Sequence, residues 1–398
     1  MSQLVPPHGS DAVKPLLAPP AARAGGLKRA ERLKRIALDS RAVSDVLMLG
    51  MGAYTPLDGF MGREDWRGAC MDMRLSAGLF WPIPITLPVA QDVAEPIQVG
   101  EEVALIESQS GQVLALMEVR EKYGIDKAIE AKHVYGTTDG KHPGVAKVMA
   151  QGEVNLAGRV LVLSEGEYPR RYPGLYIRPL EARALFRERG WSRVAAFQTR
   201  NPMHRSHEYL VKIALEVLDG AFIHQVLGKL KPGDIPAEVR TRAVQAMVDN
   251  YFRPGTVTQA GYPIEMRYAG PREALLHALI RQNFGCSHLI VGRDHAGVGD
   301  YYGPYDSQHI FDQLWDGALR TQALKLDVTF YCRRCAGMAT ARTCPHDPQF
   351  QIAISGTRLR QMLSTGVDVP PEFSRPEVVE ILREYYRSGR SGETGTAA

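Results

Sequence analysis

The sequence lacks several features that would define common classes of protein. It has no run of ~18 apolar residues, so no membrane-spanning helix is expected. Its 48 basic and 44 acidic side chains leave a net charge of only +4 without a basic block, which argues against nucleic acid as a partner. Five cysteines in 398 residues are too few for a disulfide scaffold. Because no signal peptide is evident either, we expect a cytoplasmic protein with thiols that are free or bound to metal.

Missing motifs narrow the range of enzyme classes. No Gly-x-x-x-x-Gly-Lys-Ser/Thr loop occurs, which excludes a P-loop kinase module. No Gly-x-Ser-x-Gly elbow occurs, and the glycines near position 297 do not complete a dinucleotide fingerprint. The residues that are present, 44% hydrophobic and 23% charged, are typical of a soluble globular chain of roughly two or three domains.

The pattern along the chain predicts three domains. Residues 1–170 contain short apolar runs and turn signals, with strands expected at Glu102–Ile106 and Val113–Val119, and are predicted to be mostly β. Residues 171–330 alternate strand-like and helix-like segments, which predicts an α/β domain with a parallel sheet whose ligands bind beyond the carboxyl ends of the strands. Residues 331–398 are expected to form a small domain with a cysteine cluster and a disordered tail.

The densest group of chemically active side chains runs from Gln198 to His207, where a predicted strand gives way to a helix. Free backbone N–H groups and the helix dipole favour an anion there, and Arg200 adds a planar fork that fits oxyanions. His204 and His207 are three positions apart, so they share one face of the helix. Two alternatives stay open: surface histidines at an ordinary helix start, and a metal-binding pair.

Two further motifs are candidates for contact with the same ligand. Gly292–Gly299 follows a second predicted strand, with glycines that permit close approach and with Arg293 and His295 as donors. A glycine turn with solvated charges is the alternative. Ile354–Arg358 precedes an apolar helix and would suit a phosphate contact, although it is also an ordinary helix cap.

A cysteine and histidine cluster lies in the third segment. Cys332, Cys335, Cys344 and His346 have the spacing of tetrahedral zinc ligands. A structural zinc ion is favoured over a redox pair, because a redox Cys-x-x-Cys would leave the third cysteine and the histidine unexplained. Free thiols are the remaining alternative.

Taken together, these motifs resemble those of the ATP sulfurylase (sulfate adenylyltransferase) family. The strings Gln-Thr-Arg-Asn-Pro-x-His-x-x-His at 198–207 and Gly-Arg-Asp-His-Ala-Gly at 292–297 are the most specific parts of the resemblance. Further similar segments occur along nearly the whole chain, namely Pro6–Gly9, Leu57–Gly62, Trp81–Leu87, Lys231–Pro236 and Ile354–Arg358.

The resemblance implies a β-barrel-like (PUA-like) N-terminal domain, a Rossmann-like nucleotidyltransferase catalytic domain and a small C-terminal α/β domain, without a fused adenylylsulfate kinase. It implies the reaction ATP + sulfate ⇌ adenosine 5′-phosphosulfate + pyrophosphate, with Mg²⁺ accompanying ATP and no covalent intermediate. A homo-oligomer is expected, and a dimer is the predicted state. The alternatives are another adenylyltransferase that acts on a different anion or phosphate ester, and a non-catalytic zinc-knuckle binding protein. The physiological direction is left open.

The resemblance also implies roles for individual residues. The expected catalytic residues are Thr199, Arg200, Asn201, His204 and His207. The residues expected to bind ATP are Gln198, Thr199, Arg200, Asn201, Gly292, Arg293, Asp294, His295 and Ala339. The residues expected to bind sulfate are Gln198, Arg200 and Ala296.

Overall fold

The computed structural model describes residues 3–229, 234–353 and 356–388. Three parts of the sequence predictions therefore lie outside the described residues: Lys231–Gly233, Ile354–Ser355 and the tail from Gly389. Within the described ranges, no helix combines the length and the apolar character needed to cross a bilayer.

The N-terminal part combines one mixed sheet with short helices. Its elements are α1 (Pro20–Ala30), β1 (Arg35–Leu38), α2 (Ser40–Met51), β2 (Gly59–Phe60), α3 (Arg63–Met71), β3 (Leu87–Val89), α4 (Gln91–Ala94), β4 (Glu102–Glu107), β5 (Val113–Gly124), α5 (Lys127–Tyr135), α6 (Pro143–Ala150), β6 (Val154–Val162) and α7 (Tyr168–Arg171). The sheet has the order β1-β4-β5-β6-β2, with β3 paired to β6. The two predicted strands are confirmed as β4 and β5, and the proline-rich stretch before Val89 forms only the short strand β3.

The central part is a parallel α/β domain, as the alternating pattern predicted. Its elements are α8 (Pro179–Glu188), β7 (Val194–Thr199), α9 (Arg205–Leu215), β8 (Gly220–Val226), α10 (Ala237–Tyr251), β9 (Val257–Tyr262), α11 (Gly270–Phe284), β10 (His288–Val291), α12 (Asp306–His309) and β11 (Gln322–Lys325), with a 3₁₀ turn at Ile310–Gln313. All neighbouring strands run parallel, in the order β11-β10-β7-β8-β9. From β7 the chain thus runs through β8 to the edge strand β9. It then crosses back to β10, which pairs with β7 on the side opposite β8.

The strands of this domain appear in the sequence as apolar runs because they lie in its core. Every residue of β8 is buried, because helices cover both faces of the sheet. Helix α11 is buried on nearly all sides, which is typical of a helix enclosed in a protein core. Its Leu275 and Phe284 belong to the same hydrophobic cluster as Leu47 and Tyr54 of the N-terminal part. The N-terminal and central parts therefore pack through α11.

The C-terminal part divides its packing between two cores. Its elements are β12 (Thr329–Cys332), β13 (Gly337–Thr340), β14 (Gln351–Ala353), α13 (Gly356–Ser364) and α14 (Pro376–Arg387), with a 3₁₀ turn at Pro348–Phe350. The antiparallel sheet β13-β12-β14 has its own small cluster around Phe330 and Cys332. In contrast, Leu359 and Leu382 of the two helices share a cluster with Val211 and Val244 of the parallel domain. The boundaries at 170/171 and 330/331 stay predictions.

Candidate active site

A cavity of about 430 Å³ lies at the carboxyl ends of β7 and β10. These strands are neighbours in the sheet, and the chain continues from them towards opposite edges. Loops diverge at such a point and leave a crevice, which is where open parallel sheets bind ligands. The cavity is lined by both predicted motifs, including Gln198, Thr199, Arg200, Asn201, His204, His207 and the whole of 292–297. The structure therefore brings Arg200 and Arg293 to one site.

The turn after β7 fixes the position of Arg200. The Thr199 hydroxyl donates to the backbone oxygen of Asn201 at 2.7 Å and accepts from the backbone N–H of Asn201 at 3.0 Å. The Arg200 guanidinium donates from Nη1 to the Tyr268 hydroxyl at 2.7 Å. Burial raises the pKa of Tyr268 to about 12, so this hydroxyl stays protonated near neutral pH. Arg200 is thus held as a charged, half-buried donor at the mouth of the cavity.

Of the two histidines at the start of α9, His204 is buried and His207 is half-buried, and both rings are neutral. Their rings stack with centroids 3.8 Å apart, and the backbone N–H of His204 lies 3.4 Å from Nδ1 of His207. Burial lowers the pKa of His204 well below its usual value, and burial lowers that of His207 to about 4. Because Nδ1 of His207 accepts a hydrogen bond, its proton lies on Nε2. The pair therefore offers N–H donors rather than charges, and the alternative of surface histidines is wrong for His204, which is 5% exposed.

Gln198 is held from behind by three side chains. Its Oε1 accepts from the Tyr262 hydroxyl at 2.6 Å and from Nη2 of Arg281 at 2.7 Å. Its Nε2 lies 3.1 Å from Nε2 of His277. Since arginine can only donate, the orientation of the Gln198 amide is fixed.

The loop after β10 is strained and braced. Asp294 and Ala296 both have positive φ, at 55° and 57°, a conformation that costs energy in residues other than glycine. The backbone N–H of Asp294 donates to the backbone oxygen of Pro304 at 3.0 Å, and the backbone N–H of Gly270 donates to that of Ala296 at 3.1 Å. The Ser307 hydroxyl donates to the backbone oxygen of His295 at 2.8 Å. These bonds offset the strain and hold the backbone at the edge of the cavity.

The four predicted metal ligands converge. The ligand atoms of Cys332, Cys335, Cys344 and His346 all lie within 4.8 Å of one another. The Sγ atoms of Cys335 and Cys344 are 3.7 Å apart, and Nδ1 of His346 lies 3.2 Å from Sγ of Cys335. A tetrahedron with metal–sulfur bonds of ~2.3 Å has sulfur–sulfur edges of about 3.8 Å. The cluster can hold a metal ion, and it is the only such group of three or more histidine, cysteine or acidic residues in the part of the chain that the structure describes.

Ala339 and Gly356 differ in whether they line the cavity. Ala339 does not line it: the residue is 5% exposed on β13 and packs with Phe330 and Cys332, so its contact with adenine stays a prediction. Gly356, which begins α13, does line the cavity. Helix α13 therefore starts at the site, whereas a phosphate contact from the third motif stays a prediction.

Sequence reasoning missed a third loop of the cavity. Met266 and Tyr268, between β9 and α11, line it, and Tyr268 positions Arg200. Residues Asp327 to Thr329, which follow β11, also contribute. The signal that could have found Tyr268 is its place after a strand of the same parallel sheet, but β9 itself was not predicted.

The parallel sheet, the divergence of the chain at β7 and β10, and the donors that line the cavity define an α/β protein of the nucleotidyltransferase class. A model of the ATP-sulfurylase family matches residues 173–385, and a model of a PUA-like domain matches residues 5–165. The chain therefore belongs to the ATP sulfurylase family, with a PUA-like domain at its N-terminal side.

Similar proteins agree with this assignment. A sulfate adenylyltransferase from Syntrophobacter fumaroxidans is 60% identical, over 97% of this chain and 95% of that protein. One from Chlorobium chlorochromatii is 58% identical, over 97% of this chain and 96% of that protein. Among solved structures, the hexameric APS kinase from Thiobacillus denitrificans aligns with a TM-score of 0.75 and 26% identity, over 96% of this chain and 69% of that one.

Proposed function

We propose that this chain transfers the adenylyl group of ATP to sulfate, forming adenosine 5′-phosphosulfate and pyrophosphate. The observation that carries the proposal is that Arg200, after β7, and Arg293 and His295, after β10, line one cavity at the point where the sheet diverges. Membership of the ATP sulfurylase family supports the choice of sulfate as acceptor.

The reaction needs positioning more than it needs a nucleophilic side chain. Sulfate is a weak nucleophile, and both substrates are anions, so donors must hold a sulfate oxygen in line with the bond from the α-phosphorus to pyrophosphate. Gln198, Arg200 and the backbone at Ala296 would hold sulfate. Thr199 and Asn201 would orient the α-phosphate, and no covalent intermediate forms.

The remaining donors would hold the departing pyrophosphate and the nucleotide. His204 and His207, at the N-terminus of α9, would donate N–H groups to the phosphates where the helix dipole also favours negative charge. Gly292 to His295 would bind the nucleotide. These donors stabilise charge that develops as the bond to pyrophosphate breaks.

Mg²⁺ would enter with the triphosphate rather than occupy a protein site. Two carboxylates line the cavity among the described residues, Asp294 and Asp327. Asp294 pairs with Arg293 at 3.2 Å, and Asp327 accepts from the Tyr305 hydroxyl. Since both are engaged, phosphate oxygens and water would supply most of the ligands of Mg²⁺.

The Cys332, Cys335, Cys344 and His346 cluster would hold a structural zinc ion. Three thiolates and one imidazole suit Zn²⁺ and fill all four tetrahedral positions. The backbone N–H of Cys335 lies 3.4 Å from Sγ of Cys332, a contact that supports a thiolate. The ion would fix the loops of the β12–β13 sheet beside α9, where Arg205 stacks on Tyr331 at 5.3 Å.

The sharpest test measures pyrophosphate release from ATP with sulfate, selenate, molybdate and small phosphate esters as acceptors. We expect turnover with sulfate and its tetrahedral analogues and little with the esters. Arg200→Ala should reduce sulfate-dependent turnover by about 10²–10³-fold, the usual loss on removal of a charge-stabilising donor. The matched control is Arg293→Ala: it should raise KM for ATP and leave KM for sulfate unchanged. Activity confined to a phosphate ester would overturn sulfate as acceptor.

Two broader expectations remain predictions, and the physiological direction stays open. A dimer is expected, whereas the solved relative is hexameric, and light scattering on the purified chain would distinguish these states. A cytoplasmic location is expected because the cysteines are predicted to be free or bound to metal rather than paired in disulfides. The same site can activate sulfate or make ATP from adenosine 5′-phosphosulfate, so steady-state assays in both directions are needed.

A further inference from the structure

A row of buried polar side chains lies behind the cavity, on the face of α11 that meets β7. Glu273, His277 and Arg281 are four residues apart, so they share one side of the helix. All three are completely buried. Buried polar groups are retained where they are hydrogen-bonded, and the partners of these residues include Gln198 and His295, which line the cavity.

The row begins with Arg281, whose side chain can only donate hydrogen bonds. Nη2 of Arg281 lies 2.7 Å from Oε1 of Gln198, and this oxygen also accepts from the Tyr262 hydroxyl at 2.6 Å. The amide nitrogen of Gln198 must therefore face Nε2 of His277, 3.1 Å away. An amide nitrogen donates and does not accept. Nε2 of His277 is consequently the acceptor and carries no proton.

The same logic continues to His295. Burial lowers the pKa of His277, so the neutral ring carries its proton on Nδ1, which lies 3.0 Å from Nε2 of His295. Nε2 of His295 then accepts, and the proton of its own neutral ring lies on Nδ1. Burial also lowers the pKa of His295 to about 3. Arg281 thus decides which atom donates and which accepts in each hydrogen bond that links Gln198, His277 and His295.

Glu273 does not change which nitrogen of His277 donates and which accepts. Its nearest oxygen is 3.5 Å from Nε2 of His277, which is long for a hydrogen bond. Its two carboxylate oxygens instead accept from the backbone N–H groups of Arg267 at 2.8 Å and Ala269 at 3.0 Å. Glu273 therefore anchors the loop that precedes α11, while His277 is left to pair with Gln198 and His295.

We propose that Arg281, acting through Gln198 and His277, selects the Nδ1–H tautomer of His295 and so presents that proton to an acceptor oxygen of the ligand in the cavity. Arg281 and His277 are positioning residues: they orient the Gln198 amide and the His295 ring without touching the reacting atoms. The identity of the ligand rests on the proposed function, whereas the tautomers are a property of the protein alone.

The direct test reads the tautomers by NMR of the full chain labelled with ¹⁵N-histidine at pH 7.5. Correlations between ring nitrogens and carbon-bound protons distinguish the two neutral forms. The His295 signals are assigned by their loss in His295→Gln, and those of His277 by through-space contact with the His295 ring. We expect both rings to be neutral with the proton on Nδ1. An Nε2–H tautomer or a charged ring at either position would overturn the proposal, whatever the chain's activity proves to be.

Steady-state kinetics give a second test, because a residue that only stabilises the fold would not change KM for sulfate. His277→Leu should raise KM for sulfate about tenfold and lower kcat, because Gln198 and His295 lose their orienting partner; residues that orient metal ligands cost about 10–100-fold when removed, and an effect of similar size is expected here. His277→Gln, whose amide can both accept and donate, should restore part of the loss. His288→Gln, on the opposite end of β10, is the control and should leave both parameters unchanged.

The outcome that contradicts a positioning role is a fall in kcat alone. If His277→Leu merely lowers the fraction of folded enzyme, kcat drops while KM for sulfate stays the same. Should that variant not fold, Arg281→Met removes the donor that orients the Gln198 amide. Loss of this hydrogen bond should then raise KM for sulfate by about threefold or more, and an unchanged KM would again overturn the proposal.

Discussion

The ion pair between Arg267 and Asp45 joins the N-terminal part to the loop that carries Tyr268. Nη2 of Arg267 lies 2.7 and 2.8 Å from the two carboxylate oxygens of Asp45 on α2. Their side chains are only 3% and 2% exposed. We therefore predict that Arg267→Met, which leaves Asp45 buried without a counter-charge, lowers the free energy of unfolding by about 3–5 kcal/mol.

Two further variants separate the charge from the packing. Asp45→Leu combined with Arg267→Met removes both charges and should recover most of the loss, because apolar replacement of a whole buried pair is often neutral. The matched control is Arg120→Met, since Arg120 pairs with Asp58 in an exposed bridge whose side chains are 50% and 62% exposed. That change should cost at most about 1 kcal/mol.

The assay is urea unfolding followed by circular dichroism and tryptophan fluorescence, with the midpoints and slopes of all variants compared. The expected order of stability is wild type, Arg120→Met, the double variant and Arg267→Met. A loss below about 1 kcal/mol for Arg267→Met would refute the reasoning, since an uncompensated buried carboxylate costs more than that. A double variant no more stable than Arg267→Met would refute it as well.

Three other predictions concern the metal, pH and the C-terminal helix. Metal analysis of the purified chain should find zinc, and Cys335→Ser should lower both the zinc content and the melting temperature; equal melting temperatures with and without a chelator would contradict this. Stability should fall as pH drops from 6.5 towards 4, because the unfolded chain binds a proton that half-buried His207 does not bind in the folded state, and His207→Gln should make the fall less steep in melting curves against pH. Arg375→Leu removes two 2.8 Å bonds to buried Glu208 and should lower the free energy of unfolding by about 2 kcal/mol, whereas an unchanged melting curve would argue against that link between α14 and α9.

The parts of the site that the sequence predicted are those built from neighbouring residues. An apolar run followed by a turn locates β7 with Arg200, and another locates β10 with Arg293. The cysteine cluster was predicted because its four ligands lie within fifteen positions, from Cys332 to His346. In each case the chemistry and the structural signal occupy one short segment.

The parts that were missed depend on the order of strands in the sheet. Strand β9 lies at one edge and is only partly buried, so its apolar signal is weak, and the loop that leads to Tyr268 was overlooked with it. The four-residue spacing of Glu273, His277 and Arg281 in α11 was a visible signal. Its meaning depends on Gln198, about eighty positions earlier in the sequence, which only the packing of α11 on β7 brings near.

The central claim is that one cavity, bordered by the loops after β7 and β10, binds both the nucleotide and the tetrahedral anion. A crystal structure of the chain with adenosine 5′-phosphosulfate tests it most directly. We predict the sulfate group within hydrogen-bond distance of Arg200 and Gln198, and the α-phosphate beside the start of α9. Density for the compound in the separate groove beside Arg242 and Arg253, with the cavity at Arg200 unchanged, would contradict the account.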